Sequence, residues 1–119
     1  MAQDYHITVS RPEDGCVIVA VTGKIDIASS LSFGERLCAV LSQEATKVVV
    51  DLSAASYLDT TGLSVLWESA KRCRREGRQL VIVCSAGGVR SALATSALDQ
   101  VVATHATLDE ALGHGRPAL

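Results

Sequence analysis

The sequence predicts a single α/β domain on a mixed central sheet, with an N-terminal hairpin and about four helices in the order β-β-α-β-α-β-α-β-α. Three observations carry this. Apolar runs such as "KVVVDLS" and "QLVIVC" alternate with stretches of helical period. Those runs are apolar on both faces, as strands are when a sheet is covered on both sides or when they lie at its centre. Only the turn "RPEDG" separates the first two strands, so they form a hairpin, whereas the later strands are joined by helical crossovers.

The elements follow in order. "DYHITVS" alternates Tyr5, Ile7 and Val9 with His6 and Thr8, the pattern of a half-exposed strand. "CVIVAVTG" (Cys16–Gly23) is its longer apolar partner. Ser29 or Ser30 caps a helix running to about Ser42, with Glu35 in its early turns and Leu31, Leu37, Cys38 and Leu41 facing inward. Lys47–Ser53 is the next strand. Leu63–Glu76 has helical period, with Leu63, Leu66, Ala70 and Cys73 on one face, and Gly77 stops it. Gln79–Cys84 is a buried strand. A short helix from Val89 to Ala94 or beyond, a strand near Val101–Thr104 and a helix over Leu108–Leu112 capped by Thr107 complete the domain. The core spans about residues 5–112, and 113–119 reads as a loose tail.

Composition narrows the function classes. The 119 residues are 48% apolar, enough for a core without a metal or disulfide staple, yet only 3% aromatic, so that core is aliphatic. Few rings and a net charge of -2 argue against direct nucleic-acid binding by base stacking or a basic field. Cys16, Cys38, Cys73 and Cys84 form no C-x-x-C pair and read as reduced, largely buried thiols. Spacing argues against zinc with His6, His105 or His114, and no cofactor is expected. The N-terminus lacks the apolar core of a signal peptide, and no apolar run approaches the ~20 residues of a membrane span. The expected location is the cytoplasm.

The stretch that asks for a function is "LDTTGLS". Asp59-Thr60-Thr61-Gly62 sits between a strand and a helix. One reading is an N-cap, because Asp and Thr side chains accept hydrogen bonds from the free amides of a first turn. The other is a site, because the C-terminal edge of strands is where open α/β sheets bind. A hydroxyl there is open to a kinase, its phosphate would lie near the positive end of the helix dipole, and Gly62 keeps the approach free of a side chain. No G-x-S-x-G elbow or acid–base constellation is visible, so an enzyme is not expected. The basic run Lys71, Arg72, Arg74, Arg75 and Arg78 reads as a solvated helix end, Trp67 as a packing residue, and "SAGGVRSAL" as a tight strand-to-helix turn.

Three segments together resemble the STAS domain of bacterial anti-sigma factor antagonists: "GKIDIA", with Asp26 at an acidic position; "VVVDLSAASYLDTTG"; and the basic-ended helix leading into "LVIVCSAGGVRSAL". The likeness extends from about Tyr5 to Leu112. It implies a phosphorylation site at the second hydroxyl of the motif, Thr61, supported by Thr60, Asp59, Gly62 and Asp26. It also implies two partners: an anti-sigma factor that is a GHKL-type serine/threonine kinase, and a phosphatase. The unmodified domain would bind that kinase and release a sigma factor; phosphorylation would end the binding. A STAS-type accessory or scaffold subunit, for example of a lipid transporter or stress-signalling complex, working without phosphorylation, is the second reading.

Overall fold

The computed structural model describes residues 5–85 and 87–113. The element order matches the expectation: β1 (His6–Glu13), β2 (Cys16–Ile25), α1 (Ser30–Leu41), β3 (Lys47–Leu58), α2 (Thr60–Arg75), β4 (Gln79–Val83), α3 (Gly88–Thr95), β5 (Ala103–His105) and α4 (Leu108–Ala111). A short 3-10 turn at Leu98–Gln100, which the sequence reading did not contain, joins α3 to β5. The tail beyond Gly113 lies outside the described residues.

The five strands lie in sequence order, β1-β2-β3-β4-β5. β1 pairs antiparallel with β2, and every later pair is parallel, so the sheet is mixed. Parallel strands laid down in one direction with crossovers of one hand send every crossover helix to the same face. That is what the core shows. Val17, Val19, Val48, Val50, Leu80 and Ile82 pack with Phe33 and Leu37 of α1, Leu66 of α2 and Leu93 of α3. The alternate residues Cys16, Ile18, Val49, Val81 and Val83 point the other way, to Ala111, Leu108 and Leu112 at α4. The strands are apolar on both faces because both faces are covered.

Several boundaries moved for physical reasons. β1 runs through Pro12 to Glu13 because an edge strand has no ladder partner for the missing amide. β2 and β3 extend to Ile25 and Leu58, past the apolar runs, because they pair with each other to their ends. On α1 the buried residues are Phe33, Leu37, Val40 and Leu41, while Leu31 is 73% exposed and Cys38 is exposed, which corrects the expected inward face. Phe33 sets the stripe: 33, 37, 40 and 41 follow the helical period, and positions 31 and 38 fall off it. Glu35 lies beyond the first turn of α1.

The helix α2 begins three residues earlier than its apolar period, so both threonines lie in its first turn. Leu66 and Cys73 are buried as expected, Leu63 and Ala70 only half-buried, and Ser69 joins the buried set. Gly77, at φ +70°, ends α2: its amide bonds to the Arg74 carbonyl and the Arg78 amide to the Cys73 carbonyl at 2.8 Å. The basic run is only partly a solvated face. Arg72 Nη2 and Arg78 Nη1 donate to the Leu41 carbonyl at 3.1 and 2.6 Å, satisfying the open C-terminus of α1, and Glu76 pairs with both guanidinium groups. No helix among the described residues is long and apolar enough to cross a membrane.

Candidate functional site

The parallel register sets Ile25 opposite Leu58, so β2 and β3 end at one sheet edge. The loop after each strand opens a helix, and each loop is ordered by an aspartate. After β2, the Asp26 carboxylate accepts from the Ala28 amide at 3.0 Å and the Ser29 amide at 3.3 Å. Ser29, expected to cap α1 with its side chain, instead accepts from the Asp26 amide and donates to the Lys24 carbonyl at 2.7 Å. Its hydroxyl ties the loop back to β2 rather than forward to the helix.

After β3, Asp59 is the N-cap of α2. One oxygen, Oδ1, accepts from the Thr61 amide at 2.9 Å, the Gly62 amide at 3.1 Å and the Thr61 hydroxyl at 2.5 Å. The Thr61 hydroxyl bond, more than the Gly62 and Thr61 amides, holds this carboxyl below the ordinary aspartate range against the opposing effect of burial. Asp59 is thus the cap of α2, and the Thr61 hydroxyl is paired to its carboxylate. The two loops are joined through the backbone, where the Asp59 amide donates to the Ile25 carbonyl at 3.1 Å.

Gly62 has a different reason from the one expected. It is buried, and a Cβ built there would lie 2.5 Å from Leu58 Cδ1 and 2.7 Å from Ile25 Cγ2. The missing side chain makes room for the ends of β2 and β3, not for an incoming partner. It lets the start of α2 sit directly on that edge, and this seats Thr61 there.

The two hydroxyls are placed unequally. Thr60 is exposed and lines a cleft of about 830 Å³ between the start of α2 and α3, whose other walls include Tyr57, Leu63, Ser91 and Thr95. Thr61 is half-buried. On the Asp26 side, Ile27 is 78% exposed, and Leu31 is on the first turn of α1. The sequence reading missed the exposure of both and the α3 wall of the cleft. The Leu31 signal was available, since that residue lies off the period set by Phe33, Leu37 and Leu41. The α3 wall carries no local signal, because only the tertiary fold brings Ser91 and Thr95 beside Thr60.

Among the described residues, no cluster of three or more His, Cys, Asp or Glu side chains comes together to hold a metal. Residues 9–111 match the STAS domain family. This chain is a STAS domain.

Several relatives match this STAS domain over most of their own length. The anti-sigma-F factor antagonist RsfB of Mycobacterium tuberculosis is 25% identical over 107 residues, which cover 89% of this chain and 87% of RsfB. The crystal structure of an anti-sigma factor antagonist from Mycobacterium paratuberculosis aligns with a TM-score of 0.86 at 26% identity, covering 92% of each chain. SpoIIAA of Bacillus, an anti-sigma factor antagonist, has the same fold in both of its forms. The unphosphorylated form aligns with a TM-score of 0.75 at 15% identity over 90% of this chain and 93% of its own. The phosphorylated form aligns at 0.71 and 14% over 93% and 100%.

Proposed function

We propose that this STAS domain is an anti-sigma factor antagonist: unmodified, it binds an anti-sigma factor with GHKL-type kinase activity, and phosphorylation of Thr61 ends that binding. The supporting observation is the Thr61 hydroxyl bonded to the Asp59 carboxylate at the start of α2. A carboxylate that accepts this proton orients the oxygen and strengthens it as a nucleophile toward a phosphoryl donor. Two relatives, RsfB and the Mycobacterium paratuberculosis protein, are anti-sigma factor antagonists and cover about nine-tenths of the chain, 89% and 92%.

The off-switch follows from the same geometry. Thr61 Oγ1 loses its proton when it becomes a phosphate ester, so its bond to Asp59 disappears. About -1.5 to -2 charges then stand against a carboxylate that already occupies the Thr61 and Gly62 amides. The phosphate must turn outward, onto the edge that carries Asp26 and exposed Ile27. A partner that fits the neutral edge would have to bury that charge unpaired, and the complex separates. A phosphatase resets the surface. In this reading Thr60 shapes the cleft beside the nucleophile and is not itself modified. The domain performs no chemistry of its own and acts in the cytoplasm.

The test is incubation with the candidate kinase and ATP, followed by mass-spectrometric mapping. Phosphate on Thr61 is the expected result. A kinase that binds the domain but leaves Thr61 unmodified would remove the switch and favour a scaffold role.

A further inference from the structure

A second cavity lies away from the Thr60 cleft, in the crevice between α1 and α2. It encloses about 320 Å³, the lower end of the range that holds small ligands. Gly34, Cys38 and Leu41 of α1 form one wall; Val65, Ser69 and Arg72 of α2 form the other. Gly34 leaves the groove floor open: an added Cβ would sit in van der Waals contact with Val65 at 3.4 Å, so a larger side chain there would occupy the groove. Most of its surface is apolar.

Two donors at one end of this groove lack an adequate acceptor. Ser69 is only 7% exposed, and among the described residues its hydroxyl has no hydrogen-bond partner. By contrast the exposed Ser64 bonds back to the Thr60 carbonyl at 2.9 Å. The Ser69 oxygen is not fully buried; it opens onto the groove and is free to donate to a polar ligand atom there. One turn further along α2, Arg72 Nη1 points at the Cys38 sulfur at 3.6 Å, a weak acceptor for a guanidinium. Its Nε and Nη2 are engaged by Glu76 and the Leu41 carbonyl, which hold the group still. Of the acids, Glu76 is tied to Arg72 and Arg78; Glu68 lines the groove but is 72% exposed and paired with Lys71 at 2.9 Å; and Glu35 lines the extension of the groove toward Leu31, away from the Ser69 and Arg72 end.

We propose that the α1–α2 groove binds a small aliphatic carboxylate, its head accepting from Ser69 and Arg72 and its chain lying along Gly34, Cys38 and Val65 toward exposed Leu31. The carboxylate satisfies both under-used donors at once, and the apolar walls take the chain. A neutral alcohol offers a poorer acceptor to the guanidinium and is rejected by comparison. This site stands apart from the phosphorylation reading and does not depend on it.

The probes are octanoate and octanol, titrated below aggregation into the ¹⁵N-labelled protein and followed by amide chemical shifts. Octanoate should move Gly34, Val65 and Ser69 saturably, and octanol should move them far less. Ser69→Ala should weaken octanoate binding about tenfold, the effect of one lost hydrogen bond to a charged group. Gly34→Leu should fill the groove and abolish binding; Ser91→Ala, in the other cleft, should change nothing. Unmoved groove amides, equal response to octanol, or unchanged affinity in Ser69→Ala would overturn the proposal. So would groove shifts that appear on concentrating the protein alone, which would assign the surface to a second copy of the chain.

Discussion

The backbone amide of Asp59 donates to the carbonyl of Ile25 at 3.1 Å, and this bond ties the loops after β2 and β3 together. Ile25 ends β2 and Asp59 follows β3, so residues more than thirty apart in the chain are locked at one edge. Asp59 then uses its side chain on Thr61 and Gly62. Loop joining, helix capping and orientation of the Thr61 hydroxyl thus converge on one residue.

Removing the Asp59 carboxylate should therefore be felt in stability. Asp59→Ala should cost about 1–2 kcal/mol, as cap removal does, read from urea denaturation. The acid limb should also change. The Asp59 carboxyl is lowered by the Thr61 hydroxyl and the two amides. Its contribution is therefore complete above the ordinary aspartate value and lost as pH falls through the lowered one. Asp59→Asn keeps an acceptor but cannot titrate, so its stability should fall less steeply than wild type below about pH 4.

At Gly62 a methyl group should be costly even though alanine favours helices. The contacts at 2.5 Å with Leu58 Cδ1 and 2.7 Å with Ile25 Cγ2 are too close to keep. Gly62→Ala should lose about 1–3 kcal/mol by overpacking. In a double-mutant cycle, adding Leu58→Ala should recover part of that loss, giving a non-additive pair. Simple additivity would show that the clash is not what matters.

For the proposed switch, Thr61→Ala should abolish phosphorylation while leaving kinase binding intact, measured by calorimetry. It should remain folded, losing only about 1 kcal/mol for the hydroxyl bond to Asp59, because Asp59 retains its two amide partners. Thr61→Glu should weaken the complex by placing charge on the same edge. Thr60→Ala should still be phosphorylated at Thr61, though more slowly.

Thiol labelling separates the cysteines. Cys16, Cys73 and Cys84 are buried, and burial is the first cause raising each thiol above its ordinary value. They should stay protonated and protected in the folded domain. Cys38 is exposed on α1. One thiol should react rapidly with an aromatic disulfide reagent at pH 8, and three more only on unfolding.

The α1–α2 clamp gives a last test. Arg78 Nη1 donates to the Leu41 carbonyl at 2.6 Å, so Arg78→Ala should leave the end of α1 under-capped and cost about 1–2 kcal/mol. Hydrogen exchange should quicken in the last turn of α1 and not at the Thr61 edge.

What the sequence determined by itself is what local chemistry encodes. The apolar runs at Val48–Val50 and Leu80–Val83 specified strands covered on both faces, because their residues are apolar at both parities. The short turn before Cys16 specified the hairpin, and Thr107 the cap of α4, whose hydroxyl accepts from the Glu110 amide. The motif at Asp59–Gly62 named the edge that forms the candidate site. Relations between distant residues were decided only by the tertiary structure. Leu31 and Cys38 looked like core residues by type, yet the angle at which α1 meets the sheet is set by Phe33 and turns them outward. Gly62 read as an open approach, but its need is steric and arises where Ile25 and Leu58 meet it. Arg72 and Arg78 read as solvated charge until the end of α1 arrived beside them. For Gly62 and the two arginines the deciding partner lies on another element, and no local pattern carries that information; for Leu31 the period set by Phe33, Leu37 and Leu41 along α1 did carry it.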